Sequence, residues 1–249
     1  MKKDQAVIAR LMERYLRDVR ARTILDVGPG YGAFGRVAAR VTEATDVTFL
    51  DCDQDILDWQ TNEYRKANLR AVGVRGFISV DALSKLDGPF DLVLCQELLE
   101  HLSNAEEILQ ALVGQLESDG RMIITVPTRV SERWLKWLNP SYMRDEPHGH
   151  VREYDEKELV SIIDEAGLSI VAIVPTQPHF FLGHTWLYGT RMQVEGSTGK
   201  VLTKGIRGAV FDRLTSYSKR FFGLTGPESW GRLLPRNYFV VATRKREEP

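Results

Sequence analysis

The stretch Ile24-Leu25-Asp26-Val27-Gly28-Pro29-Gly30-Tyr31-Gly32-Ala33-Phe34-Gly35 joins an apolar run to a helical pattern through a loop almost free of bulky side chains. A ligand can approach such a backbone closely, because glycines remove the side chains that would hold it off. Gly30-x-Gly32-x-x-Gly35, with Asp51 about twenty residues on, satisfies the dinucleotide fingerprint. Glycines alone leave a nicotinamide cofactor and another adenosine ligand both open, beside a merely tight turn. Asp26 tips the choice. Its carboxylate, two residues before the first glycine, would repel a pyrophosphate and attract an ammonium group. S-adenosylmethionine carries an ammonium, a cationic sulfonium and no phosphate. Asp51 can accept both ribose hydroxyls; its other role, starting a helix, can fall to Asp53. Asp81, following Ser79-Val80, suits an adenine amino group or simply forms a turn.

A second cluster is acidic and imidazole-bearing. Glu97-x-x-Glu100-His101 follows an apolar run, and helical geometry there would set all three on one face. Further on lies Pro147-His148-Gly149-His150. Two carboxylates and one or two imidazoles form a shell for Mg²⁺, Mn²⁺ or Zn²⁺. Without a metal, His148, His150 or His101 is a candidate general base, since imidazole titrates near neutral pH. A histidine in a loop also commonly serves only as a structural hydrogen-bonder.

These residues need elements to hold them. Val7, Leu11, Tyr15 and Val19 space an opening helix over 4–20. Thr23–Val27, Val47–Leu50, Val74–Val80, Phe90–Cys95, Arg121–Val126, Leu168–Val174 and Tyr238–Thr243 read as strands. Between them Ala33–Glu43, Ile56–Ala67, Asn104–Leu116 and Leu159–Ala166 read as helices. Ser103-x-x-Glu106 and Asp155-x-x-Glu158 are capping-box patterns for the last two. Alternating helices and near-continuously apolar strands predict an α/β fold, a parallel sheet covered on both faces. The alternation breaks twice. Between Pro127 and Glu153 lies an irregular stretch with Trp134, Trp137 and Tyr142, which either line an acceptor pocket or pack on one another. It follows a strand's carboxyl end, where such sheets bind ligands, and is the better candidate for a lid. Between Pro175 and Pro235 lies an insertion with one clear helix near Ile206–Phe222.

Together the glycine loop, Asp51, Asp81-Ala82, the Phe90–Cys95 run with Gln96-Glu97-Leu98-Leu99-Glu100-His101, and Glu117–Pro127 resemble the class I S-adenosylmethionine-dependent methyltransferases. The resemblance implies a Rossmann-like, seven-stranded, mostly parallel sheet whose last strand is antiparallel. It implies a cofactor site formed by Asp26, Gly28, Gly30, Tyr31, Gly32, Asp51, Cys52, Asp81, Ala82 and Gln96. The acid–histidine run is similar to that of small-RNA 2′-O-methyltransferases and ubiquinone-pathway O-methyltransferases. That similarity implies Glu97, Glu100, His101 and His150 as ligands of a divalent cation holding the accepting hydroxyl. Many methyltransferases of the class carry a similar Leu-Glu-His-Leu segment without a metal, and there Glu100 and His101 would support the loop. The segments are then an N-terminal helix over 1–22, the cofactor-binding core over 23–178, a basic helical insertion over 179–235, and a final strand and tail over 236–249.

Composition narrows the classes. The 249 residues are 43% apolar and 27% charged, an ordinary globular balance. Two cysteines, Cys52 and Cys95, make no disulfide framework, and the opening residues lack a secretory apolar segment, so a cytoplasmic location is expected. Net charge is −1, which argues against DNA and disfavours RNA. Residues 179–236 nevertheless carry nine basic and three acidic side chains, +6, leaving −7 elsewhere. Ile206, Val210, Leu214, Tyr217 and Phe221 share one helical face there. That helix over 206–222 packs on the domain with a solvated rim, touches a membrane surface, or recognises an acidic acceptor. The expected acceptor is a hydroxyl on a small molecule, glycan or lipid-linked intermediate, with N- or C-methylation as the alternative. A nicotinamide-dependent oxidoreductase and a non-catalytic cofactor-binding partner protein are the competing classes.

Overall fold

The computed structural model describes residues 5–138, 149–176, 194–195, 200–201, 210, 213 and 235–245. Helix α1 (Gln5–Leu16) is followed by β1 (Thr23–Val27), α2 (Phe34–Thr42), β2 (Asp46–Asp51), α3 (Gln54–Lys66), β3 (Arg70–Arg75) and α4 (Val80–Ser84). Next come β4 (Phe90–Gln96), a 3₁₀ turn (Leu99–His101), α5 (Ala105–Gly114), β5 (Leu116–Pro127), α6 (Arg129–Leu138), α7 (Glu156–Glu165) and β6 (Leu168–Thr176). Short strands β7 (Val194–Glu195) and β8 (Lys200–Val201) pair with each other, and β9 (Asn237–Arg244) closes the order.

Seven strands form one sheet in the order β3-β2-β1-β4-β5-β9-β6. β1 pairs in parallel with β2 and β4, as does β2 with β3 and β4 with β5, whereas β9 runs antiparallel between β5 and β6. The order reverses between β1 and β4, so the carboxyl ends of these two strands open onto one crevice. Both chemistry-bearing runs begin there.

The strands are apolar on both faces, and their alternation divides the core. Ile24, Phe49, Leu92, Leu94, Ile123 and Phe239 pack with α1, α2 and α3, while Leu25, Leu50, Val93, Cys95, Met122 and Val240 pack with α4, α5 and α7. This two-faced burial explains why the strand runs are nearly all hydrophobic. Asp155 caps α7 with a complete capping box, and Gly167, at φ 88°, ends it.

Several sequence expectations are corrected. β3 spans Arg70–Arg75 rather than Val74–Val80, because it is a largely exposed edge strand without an apolar signature. Ser79 caps α4 through the Ala82 N–H, which puts Asp81 in a first helical turn instead of at a strand end. Asn104 does precede α5, but no side chain caps it; Glu106 is drawn off to Arg152. Helix α6 occupies part of the stretch expected to be irregular, started by Thr128, whose Oγ1 accepts the Ser131 N–H at 3.2 Å. Apart from Val210 and Arg213, the expected helix over 206–222 lies outside the described residues, as do Tyr142 and His148. No helix among the described residues is long and apolar enough to cross a membrane.

The two caps should differ in weight. Asp155→Ala should lower unfolding free energy by about 1 kcal/mol. Asn104→Ala, which breaks no cap, should stay within roughly 0.5 kcal/mol. Urea unfolding of the two variants checks the contrast.

Candidate active site

Gly28 and Gly30 turn the chain out of β1 with φ of 64° and 49°, values that side chains other than glycine rarely adopt. The Gly28 N–H donates to the Leu50 carbonyl at 2.9 Å, tying the loop to the neighbouring strand end. Gly35 has a different reason. A Cβ there would stand 2.1 Å from the Tyr64 hydroxyl and 2.6 Å from Asp26 Oδ2. Only glycine lets the first turn of α2 settle over this pair. The loop is held from the other side by Gln60, whose Nε2 donates to the Gly30 carbonyl at 2.7 Å and the Gly32 carbonyl at 3.1 Å. Arg36 donates to Gln60 Oε1 at 3.0 Å and so fixes which way that amide points.

Asp26 is buried at the end of β1, and the Tyr64 hydroxyl donates to it at 2.8 Å. Burial pushes its carboxyl up to about 6, against the opposing pull of Tyr64 and Arg36. Asp51 ends β2. Its carboxyl is also raised by burial, while backbone N–H groups, those of Asp53 and Gly30 first, pull it down. Asp53, not Asp51, caps α3, as its alternative role anticipated. Tyr31 lies edge-on to Trp59 with ring centroids 5.3 Å apart, and Cys52 is exposed beside Asp51. Asp81 is exposed and ion-paired with Lys85 at 2.6 Å, and Ala82 sits in the same helical turn. The glycine loop, Asp26 and Asp51 therefore meet around the β1 and β2 ends, with Asp81 and Ala82 carried by α4.

At the end of β4, Gln96 is 8% exposed and neither of its amide atoms has a partner. Glu97 takes φ 49°, donates its N–H to the Thr125 carbonyl at 2.9 Å, and accepts from Asn237 Nδ2 at 2.7 Å. The run is therefore not helical at Glu97, which is held by the last strand instead of joining its neighbours. Glu100, in the 3₁₀ turn, is 1% exposed and both carboxylate oxygens lack a partner. Burial, reinforced by the charge of Glu97, holds its carboxyl well above the usual range.

The Glu100 carbonyl accepts the N–H groups of Val151 at 2.8 Å and Arg152 at 3.2 Å. Those bonds clip a distant loop onto the turn, and the Tyr154 hydroxyl adds a third by donating to the Leu99 carbonyl at 3.1 Å. His150 thereby meets His101 edge to face, with ring centroids 4.7 Å apart. One potential ligand atom each from Glu100, His101 and His150 lies within 4.8 Å of the others. Three of the four expected ligands are assembled, and Glu97 is the one left out. A buried, unpartnered carboxylate beside two imidazoles is a donor set that suits a divalent cation.

Trp134 and Trp137 pair with each other at 5.3 Å on the exposed side of α6, whereas Ser131, Glu132 and Leu135 are buried. The two tryptophans thus pack on one another. Glu132 Oε2 and His150 Nδ1 are hydrogen-bonded at 2.8 Å, and Glu132 Oε1 lies 3.8 Å from Arg236. Burial pushes the Glu132 carboxyl up, but the His150 bond and Arg236 together bring it below its usual range. Sequence inspection singled out neither Glu132 nor Gln60. Gln60 did carry a signal, falling between Ile56 and Tyr64 at four-residue spacing on the buried side of α3.

The family described as a methyltransferase domain matches residues 2–173. The ubiquinone biosynthesis O-methyltransferase of Rickettsia felis is 28% identical over 129 residues, covering 52% of this chain and 50% of that protein. The chain thus spans about half the length of the curated relatives it matches. A S-adenosylmethionine-dependent methyltransferase from Clostridium acetobutylicum superposes with a TM-score of 0.57 at 12% identity, covering 98% of this chain and 92% of that one. The plantazolicin methyltransferase BamL, solved in complex with a triazolic desmethylPZN analog and S-adenosylhomocysteine, superposes with a TM-score of 0.59 at 12% identity, covering 98% of this chain and 86% of that one.

Gly35→Ala tests the loop's packing. Overfilling this contact should cost about 1–3 kcal/mol of stability and should also abolish adenosine-ligand binding, read by calorimetric titration. A helical change on the other face of the sheet that meets open space, Gly114→Ala, should cost neither.

Proposed function

The chain belongs to the methyltransferase-domain family, and we propose that it moves a methyl group from S-adenosylmethionine to a hydroxyl of a small molecule. The observation that carries the hydroxyl is Glu100, buried with two unpartnered oxygens beside His101 and His150. The relatives named as ubiquinone biosynthesis O-methyltransferases support the same acceptor class.

In-line displacement at a methyl group needs alignment of nucleophile, carbon and sulfur more than covalent help. Asp51 would accept the ribose hydroxyls, and Asp26 would face the methionyl ammonium across the glycine loop. Gln96, with both amide atoms unsatisfied at the β4 end, would bond the bound ligands. Glu100, His101 and His150 would hold a divalent cation such as Mg²⁺, Mn²⁺ or Zn²⁺. Such an ion supplies positive charge that favours the ionised form of a hydroxyl. A second reading gives the proton directly to His150, and the Glu132 bond to its Nδ1 favours that role.

S-adenosylmethionine or its demethylated product should raise the melting temperature of the chain, and NADH should not. Stabilisation by NADH alone would overturn the transferase. Chelation should abolish methyl transfer while leaving cofactor binding intact, with Mn²⁺ or Zn²⁺ restoring it. Full activity in excess chelator would leave the proton to a histidine, with His150 and His148 as the candidates.

Asp26 adds a pH dependence with a definite sign. Its folded value of about 6 lies above the ordinary 3.8, so the ligand-free fold loses stability as pH rises through that window. A ligand ammonium requires the ionised carboxylate. Cofactor affinity should therefore fall by up to about tenfold per pH unit below the Asp26 value and level off above it. Asp26→Asn should weaken binding and flatten the profile, measured by titration across that range.

A further inference from the structure

Glu132 is a buried carboxylate that neither the cofactor loop nor the candidate ligand set employs. It is 1% exposed, yet it sits between two groups that can bear positive charge. Its Oε2 is 2.8 Å from His150 Nδ1, and its Oε1 is 3.8 Å from an Arg236 nitrogen. Its placement is tightly constrained. The Glu132 N–H donates to the Thr128 carbonyl at 3.0 Å, closing the first turn of α6. The neighbouring Ser131 hydroxyl reaches the Thr128 and Arg236 carbonyls, both at 3.1 Å. Thr128 Oγ1 in turn donates to the Pro235 carbonyl at 2.6 Å. Three chain segments thus meet at the start of α6, and their bonds fix the Glu132 backbone beside His150 and Arg236.

An ionised carboxylate accepts hydrogen bonds and donates none. A neutral imidazole carries one hydrogen, so a bond from Nδ1 to Glu132 requires that hydrogen to sit on Nδ1. Nε2 is then the nitrogen with a lone pair to offer. Carboxylates commonly set metal-ligating and base histidines in this way, fixing the tautomer and ring orientation and raising basicity.

We propose that Glu132 is the positioning residue of the acid–histidine site, fixing His150 as the Nδ1–H tautomer so that Nε2 ligates the cation or takes the hydroxyl proton. The role of Nε2 rests on the transferase reading; the tautomer does not. The contrasting role is a staple, in which Glu132 only joins α6 to the start of β9 through Arg236.

Two measurements on the full chain separate these roles. In the metal-stripped protein with ¹⁵N-labelled histidine, a long-range ¹H–¹⁵N spectrum should give His150 as the Nδ1–H form. Glu132→Gln keeps the volume but can also donate, so it should bring in the Nε2–H form. Calorimetric titration of Zn²⁺ into the stripped chain should weaken about 10–100-fold in Glu132→Gln, with S-adenosylhomocysteine affinity retained. In a His150→Ala background the same substitution should change Zn²⁺ affinity no further. A staple predicts a lower melting temperature with tautomer and Zn²⁺ affinity unchanged, and that result overturns the proposal. A wild type that binds no Zn²⁺ removes the metal from the proposed function, and the tautomer alone then decides. His150 in the Nε2–H form in the wild type overturns the positioning role without need of any variant.

Discussion

Burying a carboxylate costs several kcal/mol unless bonds and opposite charge replace its water, and this chain buries carboxyl groups on both sides of its central crevice. Asp26 ends β1 and Glu100 follows β4, the two adjacent strands between which the sheet order reverses. Their treatment differs. Asp26 receives the Tyr64 hydroxyl and the nearby charge of Arg36, so its environment is complete except for what a ligand brings. Glu100 has a carbonyl that is fully used and a carboxylate that is not. One side of the crevice is a finished cradle, and the other is a site whose polar atoms call for an added partner.

The cradle depends on close approach. Gly35 lets α2 begin directly over the Asp26–Tyr64 pair, and Gln60 reaches across from α3 to hold two loop carbonyls. Helices α2 and α3 share one layer with α1 on the same face of the sheet. The loop is therefore backed by packed helices and held by Gln60. Preorganisation of this kind limits the ordering that binding would otherwise demand.

The acid–histidine side is assembled differently, from segments far apart in the chain. The turn after β4, the loop at 149–154, the start of α6 and the start of β9 meet there through backbone bonds as well as side chains. Arg236 donates its N–H to Thr176 at 3.0 Å, so the chain leaves β6 and returns to β9 at one point beside this junction. Whatever lies between residues 176 and 236 is thus anchored at both ends near the candidate site.

Local pattern determined the fold class, most strand positions, the capped start of α7 and the glycine loop, and it singled out Asp26, Asp51, Glu100, His101 and His150 as candidates for chemistry. Each of these follows from rules acting over a few residues: apolar strands buried on both faces, a capping box, glycines where φ is positive. The edge strand β3 escaped because an exposed strand needs no apolar pattern, and α6 escaped because it buries Ser131 and Glu132 while exposing Val130, Trp134 and Trp137, the reverse of an apolar face. What only tertiary structure decided is which of those residues meet. Glu97 stands outside the ligand group because Asn237, 140 positions away, bonds its carboxylate, although its charge still bears on Glu100. Glu132 joined His150 because Thr128 and Arg236 fix the start of α6 against β9. Sequence spacing can state which side chains share a short helix or strand, but the partner of a buried charge is chosen by packing between elements, and no local rule contains it.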